Sequence, residues 1–195
     1  FLLLVYPTTG SLFHFTLLTG PKGSGKRTIS KWLAEELKIP LVEYGGSVDD
    51  IRDLIDNCFS SNSITLYYID GDSLTIQAQN ALLKLAEEPP NRAYIIIGVS
   101  TLDVLLQTIR SRARSYAMDP YSYMELREYA NKCGTDSEYL DSMCYCSTNP
   151  GMINDFMNCD FDGLYKYTFK VMDNILKVST GNAFKIINKI SVKDG

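Results

Sequence analysis

The chain has 195 residues, 45% hydrophobic and 22% charged, which suits the core of one medium domain with a small appendage and excludes a disordered chain. A net charge of -4 and a pI near 5.0 exclude a global basic field, so contact with nucleic acid would be local or supplied by partners. The cysteines (Cys58, Cys133, Cys144, Cys146 and Cys159) form no CxxC pair and there is one histidine, His14. That pattern argues against a disulfide framework and a zinc site, and for reduced thiols in a cytoplasmic protein.

The opening "FLLLVY" is too short to span a bilayer and lacks a basic flank, so no membrane partner is expected. The chain does not begin with Met, which leaves room for residues upstream. "HFTLLTG", His14 to Gly20, reads as a buried strand ending in glycine. "KRTISKWLAEELK" follows as an amphipathic helix, with Ile29, Trp32, Leu33 and Leu37 at helical spacing. "PLVEYG" is a second strand. "SVDDIRDLIDNCF" is a helix with Ser47 as its N-cap and an apolar stripe of Val48, Ile51, Leu54 and Ile55.

"SITLYYID" is a third strand, and "SLTIQAQNALLKLAEEPP" a helix stopped by Pro89 and Pro90. Leu74, Ala78, Ala81, Leu82 and Leu85 share one of its faces. "AYIIIGVS" is a fourth strand, "TLDVLLQTI" a short helix and "SYAM" a fifth strand. Short apolar strands alternating with helices predict an α/β fold, a mainly parallel sheet covered on both faces. Beyond Pro120 only helices are predicted: "YSYMELREYANKCG", "DSEYLDSMCYC" and "PGMINDFMN", then "FDGLYKYTFKVMDNILKVS" and "NAFKIINKI". The expected organisation is an α/β core over 1–118, a helical lid over 119–160 and the start of a further helical unit over 161–195.

"GPKGSGK" fits the G-x-x-x-x-G-K phosphate loop from Gly20 to Lys26, between a predicted strand and a predicted helix. Glycines let backbone N–H groups turn onto phosphate oxygens, and the helix start adds partial positive charge. The expected nucleotide-binding residues are Gly20, Pro21, Lys22, Gly23, Ser24, Gly25, Lys26, Arg27, Thr28 and Asp70, with ATP as the ligand. A hydroxyl residue normally follows the lysine and ligates Mg²⁺. Arg27 stands there and only donates hydrogen bonds. Thr28 comes one residue late, a rotation of about 100° on a helix, so the Mg²⁺ site is impaired. Asp70 ends an apolar strand, where a second Mg²⁺ anchor belongs. The glutamate that should follow is Gly71, which leaves no base for water, and Asp72 lies off phase.

With these pieces aligned, "VDDIRDLID", "IDGDSLTIQAQNALLKLAEEPP" and "LQTIRSRAR" resemble the AAA+ core of clamp-loader subunits. The similarity is nearest to the bacterial DNA polymerase III gamma/tau and delta-prime family. That family's "NALLKxLEEPP" signature is matched by Asn80 to Pro90. Its Ser-Arg-Cys motif is matched by Ser111 and Arg112, with Ala113 in place of cysteine. Its small-Pro-Gly turn resembles Asn149 to Gly151. The likeness runs from about His14 to Asn158.

The resemblance implies a AAA+ P-loop fold with a helical lid, and the 161–195 helices as the start of a collar. It makes Lys26 the phosphate lysine, Asp70 the acidic anchor and Ser100 the sensor on the fourth strand. Arg112 becomes an arginine finger presented to a neighbouring subunit's nucleotide. The basic residue after the Pro-Gly turn is replaced by Met152. The four-cysteine zinc module of delta-prime members is absent between Leu37 and Ile51, so no zinc is expected.

The implied role is a delta-prime-like subunit without turnover of its own. Its implied partners are gamma/tau-like motor and delta-like subunits, a sliding clamp and primer-template DNA. Two alternatives stay open: a weak ATPase using Asp72 as a displaced base, and a scaffold whose loop is blocked by Arg27. The run Arg110, Arg112, Arg114 could also form a short basic stripe for DNA phosphate.

Overall fold

A computed structural model of the protein describes residues 13–134 and 138–177. Its sheet comprises β1 (Phe15–Thr19), β2 (Leu41–Tyr44), β3 (Thr65–Asp70), β4 (Ala93–Val99) and β5 (Arg114–Ala117). The order is β2-β3-β4-β1-β5 and every pairing is parallel, as expected for strands joined by helical crossovers. The crossovers carry α1 (Lys26–Leu37), α2 (Val48–Ser60), α3 (Ile76–Glu87) and the single turn α4 (Gln107–Arg110).

The strands are apolar on both sides because both sides are covered. Leu17, Tyr67, Ile69, Ile95 and Ile97 pack with Ile51 and Leu54 of α2 and Leu82 and Leu85 of α3. The alternate residues Leu18, Leu66, Tyr68, Ile96 and Tyr116 meet Leu33 and Ala34 of α1. Cys58 lies in the first of these layers, where burial pushes its thiol up to about 12. All the cysteines are free.

Three sequence expectations are corrected locally. Trp32 is 38% exposed, and Ala34 takes a core place on α1 instead. The helix expected from Ser73 begins at Ile76, after a 3-10 turn over Gly71–Ser73. The Thr75 side chain caps it by accepting from the Ala78 N–H at 3.1 Å. "TLDVLLQTI" splits into a 3-10 turn, Leu102–Val104, and α4. The buried Gln79 explains the break: its Nε2 donates to Val104 O at 3.0 Å, and its Oε1 accepts from Leu106 N at 2.7 Å. A side-chain amide thus satisfies backbone groups that a continuous helix would have paired internally.

The described residues divide into two compact units, one within 13–121 together with Asn149–Gly151, the other within 122–148 and 152–177. The second contains α5 (Tyr123–Lys132), α6 (Leu140–Cys146), most of α7 (Pro150–Asn158) and α8 (Phe161–Lys177). Leu126, Ala130, Met143, Cys144, Ile153 and Phe161 are buried in it. A Ser122–Glu125 capping box starts α5. The Phe156 and Phe161 rings meet edge-on at 5.0 Å, which ties the start of α8 to α7. The Met152 sulfur accepts from the Thr148 hydroxyl at 3.4 Å. The helix expected over "NAFKIINKI" lies outside the described residues. Among the described residues no helix is long and apolar enough to cross a membrane.

Candidate nucleotide site

The phosphate loop leaves the end of β1, the strand between β4 and β5, and is tied to β4 by the Gly20 N–H donating to Val99 O at 3.1 Å. Gly23 and Gly25 have φ of 83° and 93°, conformations that only glycine adopts without strain. Gly23 is also held close to the Asn149–Gly151 turn, whose Gly151 N–H donates to Gly23 O at 3.0 Å. A Cβ on Gly23 would stand 2.6 Å from Asn149 Oδ1 and 2.8 Å from Gly151 Cα. The Tyr121 hydroxyl holds the other flank, donating to Ser24 O at 3.0 Å.

Within this cradle Ser24 is 2% exposed, and its buried Oγ has no hydrogen-bond partner. It faces Gly20 across the loop, 3.1 Å from where a Gly20 Cβ would lie. A buried hydroxyl without a partner is costly unless a ligand supplies one. A phosphate oxygen would serve, so the loop residues fit a polyphosphate. Lys26 is buried, and its Nζ donates to Gly20 O at 2.6 Å and Pro21 O at 3.0 Å. Burial holds its pKa below the ordinary lysine value, while Asp72 and then Asp70 pull it back up. Pro21, Lys22 and Thr28 are exposed around this lysine.

The magnesium half of the site fits poorly. The Arg27 guanidinium pairs with Glu43 on β2, and Lys31 approaches the same carboxylate at 3.5 Å. Arg27 therefore points to the edge of the sheet and does not plug the loop. Asp70 is exposed at the end of β3, in register with Gly98 of β4. Tyr68 shares its face of the strand, and a Cβ on Gly98 would meet the Tyr68 hydroxyl at 2.3 Å. The phenol thus occupies the ground beside Asp70. Burial first, then Asp70, pushes it up to about 12. Among the described residues no group of three or more His, Cys, Asp or Glu is placed to hold a metal ion.

Gly71 is buried, and a Cβ there would lie 2.4 Å from Val99 Cγ1 and 2.6 Å from Ile97 Cγ2. The packing of β4 leaves no room for an acid. Asp72 is engaged elsewhere: its Oδ1 accepts from the Ser100 N–H and the Ser100 hydroxyl, both at 2.8 Å. The expected sensor Ser100 is thus bonded to the acid that the sequence left as a possible base.

Arg112 stands at the end of the α4 segment. Its Nη2 meets Glu87 Oε1 at 2.6 Å and its Nη1 donates to Thr108 O at 2.8 Å. Its neighbours in the arginine run go elsewhere. Arg110 pairs with Asp103 at 3.3 Å, and Arg114 lies over the Phe13 and Tyr116 rings at 5.7 and 5.9 Å. With each arginine engaged by its own partner, the run is not a continuous basic stripe. Sequence reasoning missed Glu87, Gln79 and the Asp72–Ser100 pair. Glu87 and Gln79 both sit inside the "IDGDSLTIQAQNALLKLAEEPP" stretch that the sequence had marked, and Asp72 and Ser100 were each singled out, but not as partners.

A family model described as "DNA polymerase III, delta subunit" matches residues 45–122, a span that holds Asp70, the Asn80–Pro90 stretch and Arg112. The DNA polymerase III subunit gamma of Buchnera aphidicola (subspecies Acyrthosiphon pisum) is 25% identical over 93% of this chain and 66% of its own length. The chain spans 39% and 24% of the next two curated relatives, so it covers less than two thirds of the length of each of these three. Among solved structures, a variant of Thermotoga maritima RuvB superposes with a TM-score of 0.63 at 21% identity, covering 86% of this chain and 61% of that one. A gamma subunit-related protein from Thermotoga maritima gives 0.54 at 19% identity, covering 90% and 72%. At such identities the structures establish the fold alone. The chain is thus similar in sequence to DNA polymerase III gamma subunits, and over residues 45–122 to the delta-subunit family, while its fold is that of RuvB and the gamma subunit-related protein.

Proposed function

We propose that the chain is a delta-prime-like clamp-loader subunit that turns over no ATP itself and presents Arg112 to nucleotide held by a neighbouring subunit. One observation carries this reading: an anchored Arg112 coexists with a Gly71 so enclosed that no catalytic acid fits beside Asp70. The loop would hold the phosphates of ATP through its N–H groups, Ser24 Oγ and Lys26, while Arg27 and Tyr68 leave Mg²⁺ weakly supported. An arginine supplied in trans to a phosphoryl group is worth roughly 10³ to 10⁵ in rate. The implied partners are a gamma/tau-like ATPase, a delta-like subunit, a sliding clamp and primer-template DNA, in the cytoplasm. The helices from Phe161 on would begin a collar.

The test is ATP turnover by the chain alone and in a complex reconstituted with its cognate ATPase subunits, clamp and primed DNA. The expected result is background turnover alone, and stimulated turnover in the complex that Arg112→Ala removes. Turnover by the isolated chain that Lys26→Ala abolishes would instead make it an ATPase. Saturable ATP binding in calorimetry would exclude a scaffold that binds no nucleotide.

A further inference from the structure

Glu87 has no assigned role, and its geometry gives it one. It is the last residue of α3, just before Glu88, Pro89 and Pro90 end the helix. The helix end is fixed by the buried side chains of Leu85 and Ala86. From there its Oε1 accepts from Arg112 Nη2 at 2.6 Å. The opposite end of α3 braces the same segment, since Gln79 binds Leu106 N and Val104 O just ahead of α4. The Arg112 N–H donates to Ile109 O at 3.1 Å, and Ile109 is fully buried. One helix therefore holds the guanidinium of Arg112 through Glu87 and the entry to its segment through Gln79.

A guanidinium has five N–H donors in a fixed plane. Glu87 and Thr108 take one from each terminal nitrogen, which fixes the plane and leaves donors for a planar or tetrahedral anion. The Arg112 side chain is 35% exposed, so part of that fork faces outward. An exposed pair of this kind contributes little to folding. Its physical consequence is orientation, because a long arginine otherwise samples many rotamers.

We propose that Glu87 is a positioning residue, which holds Arg112 oriented for the phosphoryl group of a nucleotide bound by the neighbouring subunit. This rests on the trans-acting role of Arg112 set out above. A misplacement of about 1 Å in a catalytic group can lower a rate about 10²-fold.

The experiment uses the full chain in the reconstituted complex and measures kcat and KM for ATP with Arg112→Ala, Glu87→Ala, Glu87→Gln, Glu87→Asp and the double variant Glu87→Ala/Arg112→Ala. Glu87→Ala is expected to lower kcat by about 10- to 100-fold with KM within about twofold, an orientation effect. Glu87→Gln, which keeps the shape and one acceptor oxygen, and Glu87→Asp, which keeps the charge, should each recover part of the loss. The double variant should be no slower than Arg112→Ala, because the two residues act as one unit. Thermal denaturation should leave the Glu87 variants near the parent. Full kcat in every Glu87 variant beside a slow Arg112→Ala overturns the positioning role and leaves the finger standing. So do additive losses in the double variant. Full kcat in Arg112→Ala overturns both.

Discussion

A Cβ at Gly71 would lie 2.4 Å from Val99 Cγ1 and 3.0 Å from Gly98 O, so the missing catalytic acid is a packing fact as well as a sequence one. Gly71→Glu is expected to give no turnover and to lower stability by about 1–3 kcal/mol, the usual cost of overpacking, measured by denaturant unfolding. Turnover gained at unchanged stability would contradict this. Arg27 holds the Glu43 carboxyl below its ordinary value, with Lys31 adding to the effect. A carboxyl depressed in the folded chain contributes stability above its unfolded value of 4.5, lost as pH falls through the folded value. Thermal melts of the chain and of Arg27→Thr should therefore differ above pH 4.5 and converge as the pH drops below it. A difference that persists in acid would rule out the pair as its source.

The elements of the first unit were mostly readable because each strand is a short apolar run and each helix has a 3.6-residue stripe. Ser47 shows this well: the predicted cap accepts from Asp50 N–H at 3.0 Å, and the Asp50 side chain completes the capping box. Where pattern failed, a distant side chain intervened. Gln79 breaks "TLDVLLQTI" from 25 and 27 residues away, through bonds to Val104 and Leu106 that no local periodicity encodes. Trp32 keeps helical phase but stands at the edge of the α1 stripe, 38% exposed. Gln79→Leu should leave the Leu106 N–H without its partner and lower stability by about 1–3 kcal/mol, with α4 exchanging its amide hydrogens faster. An unchanged exchange rate in α4 would show that other contacts hold it.

Across the molecule, the positions of the candidate site were read more easily than their partners. The phosphate loop, Asp70 and Arg112 emerged from spacing and from family resemblance, because those motifs are contiguous. Ser100 and Asp72 are 28 residues apart, and Glu87 and Arg112 are 25 apart. Only the β3–β4 register and the packed end of α3 bring such pairs together, so their bonds could not be inferred from sequence. These pairs set the balance of the chain: the acids near Lys26 are occupied or poorly placed for metal, whereas Arg112 is held with donors to spare. The account predicts an asymmetry, a site of little consequence in cis beside an arginine that acts in trans. The most direct measurement is the ATP turnover of the reconstituted complex carrying either Lys26→Ala or Arg112→Ala in this chain. Lys26→Ala should leave turnover within about twofold of the parent, and Arg112→Ala should lower it by about 10³-fold or more at the neighbouring site. Loss of turnover with Lys26→Ala and full turnover with Arg112→Ala would contradict the account.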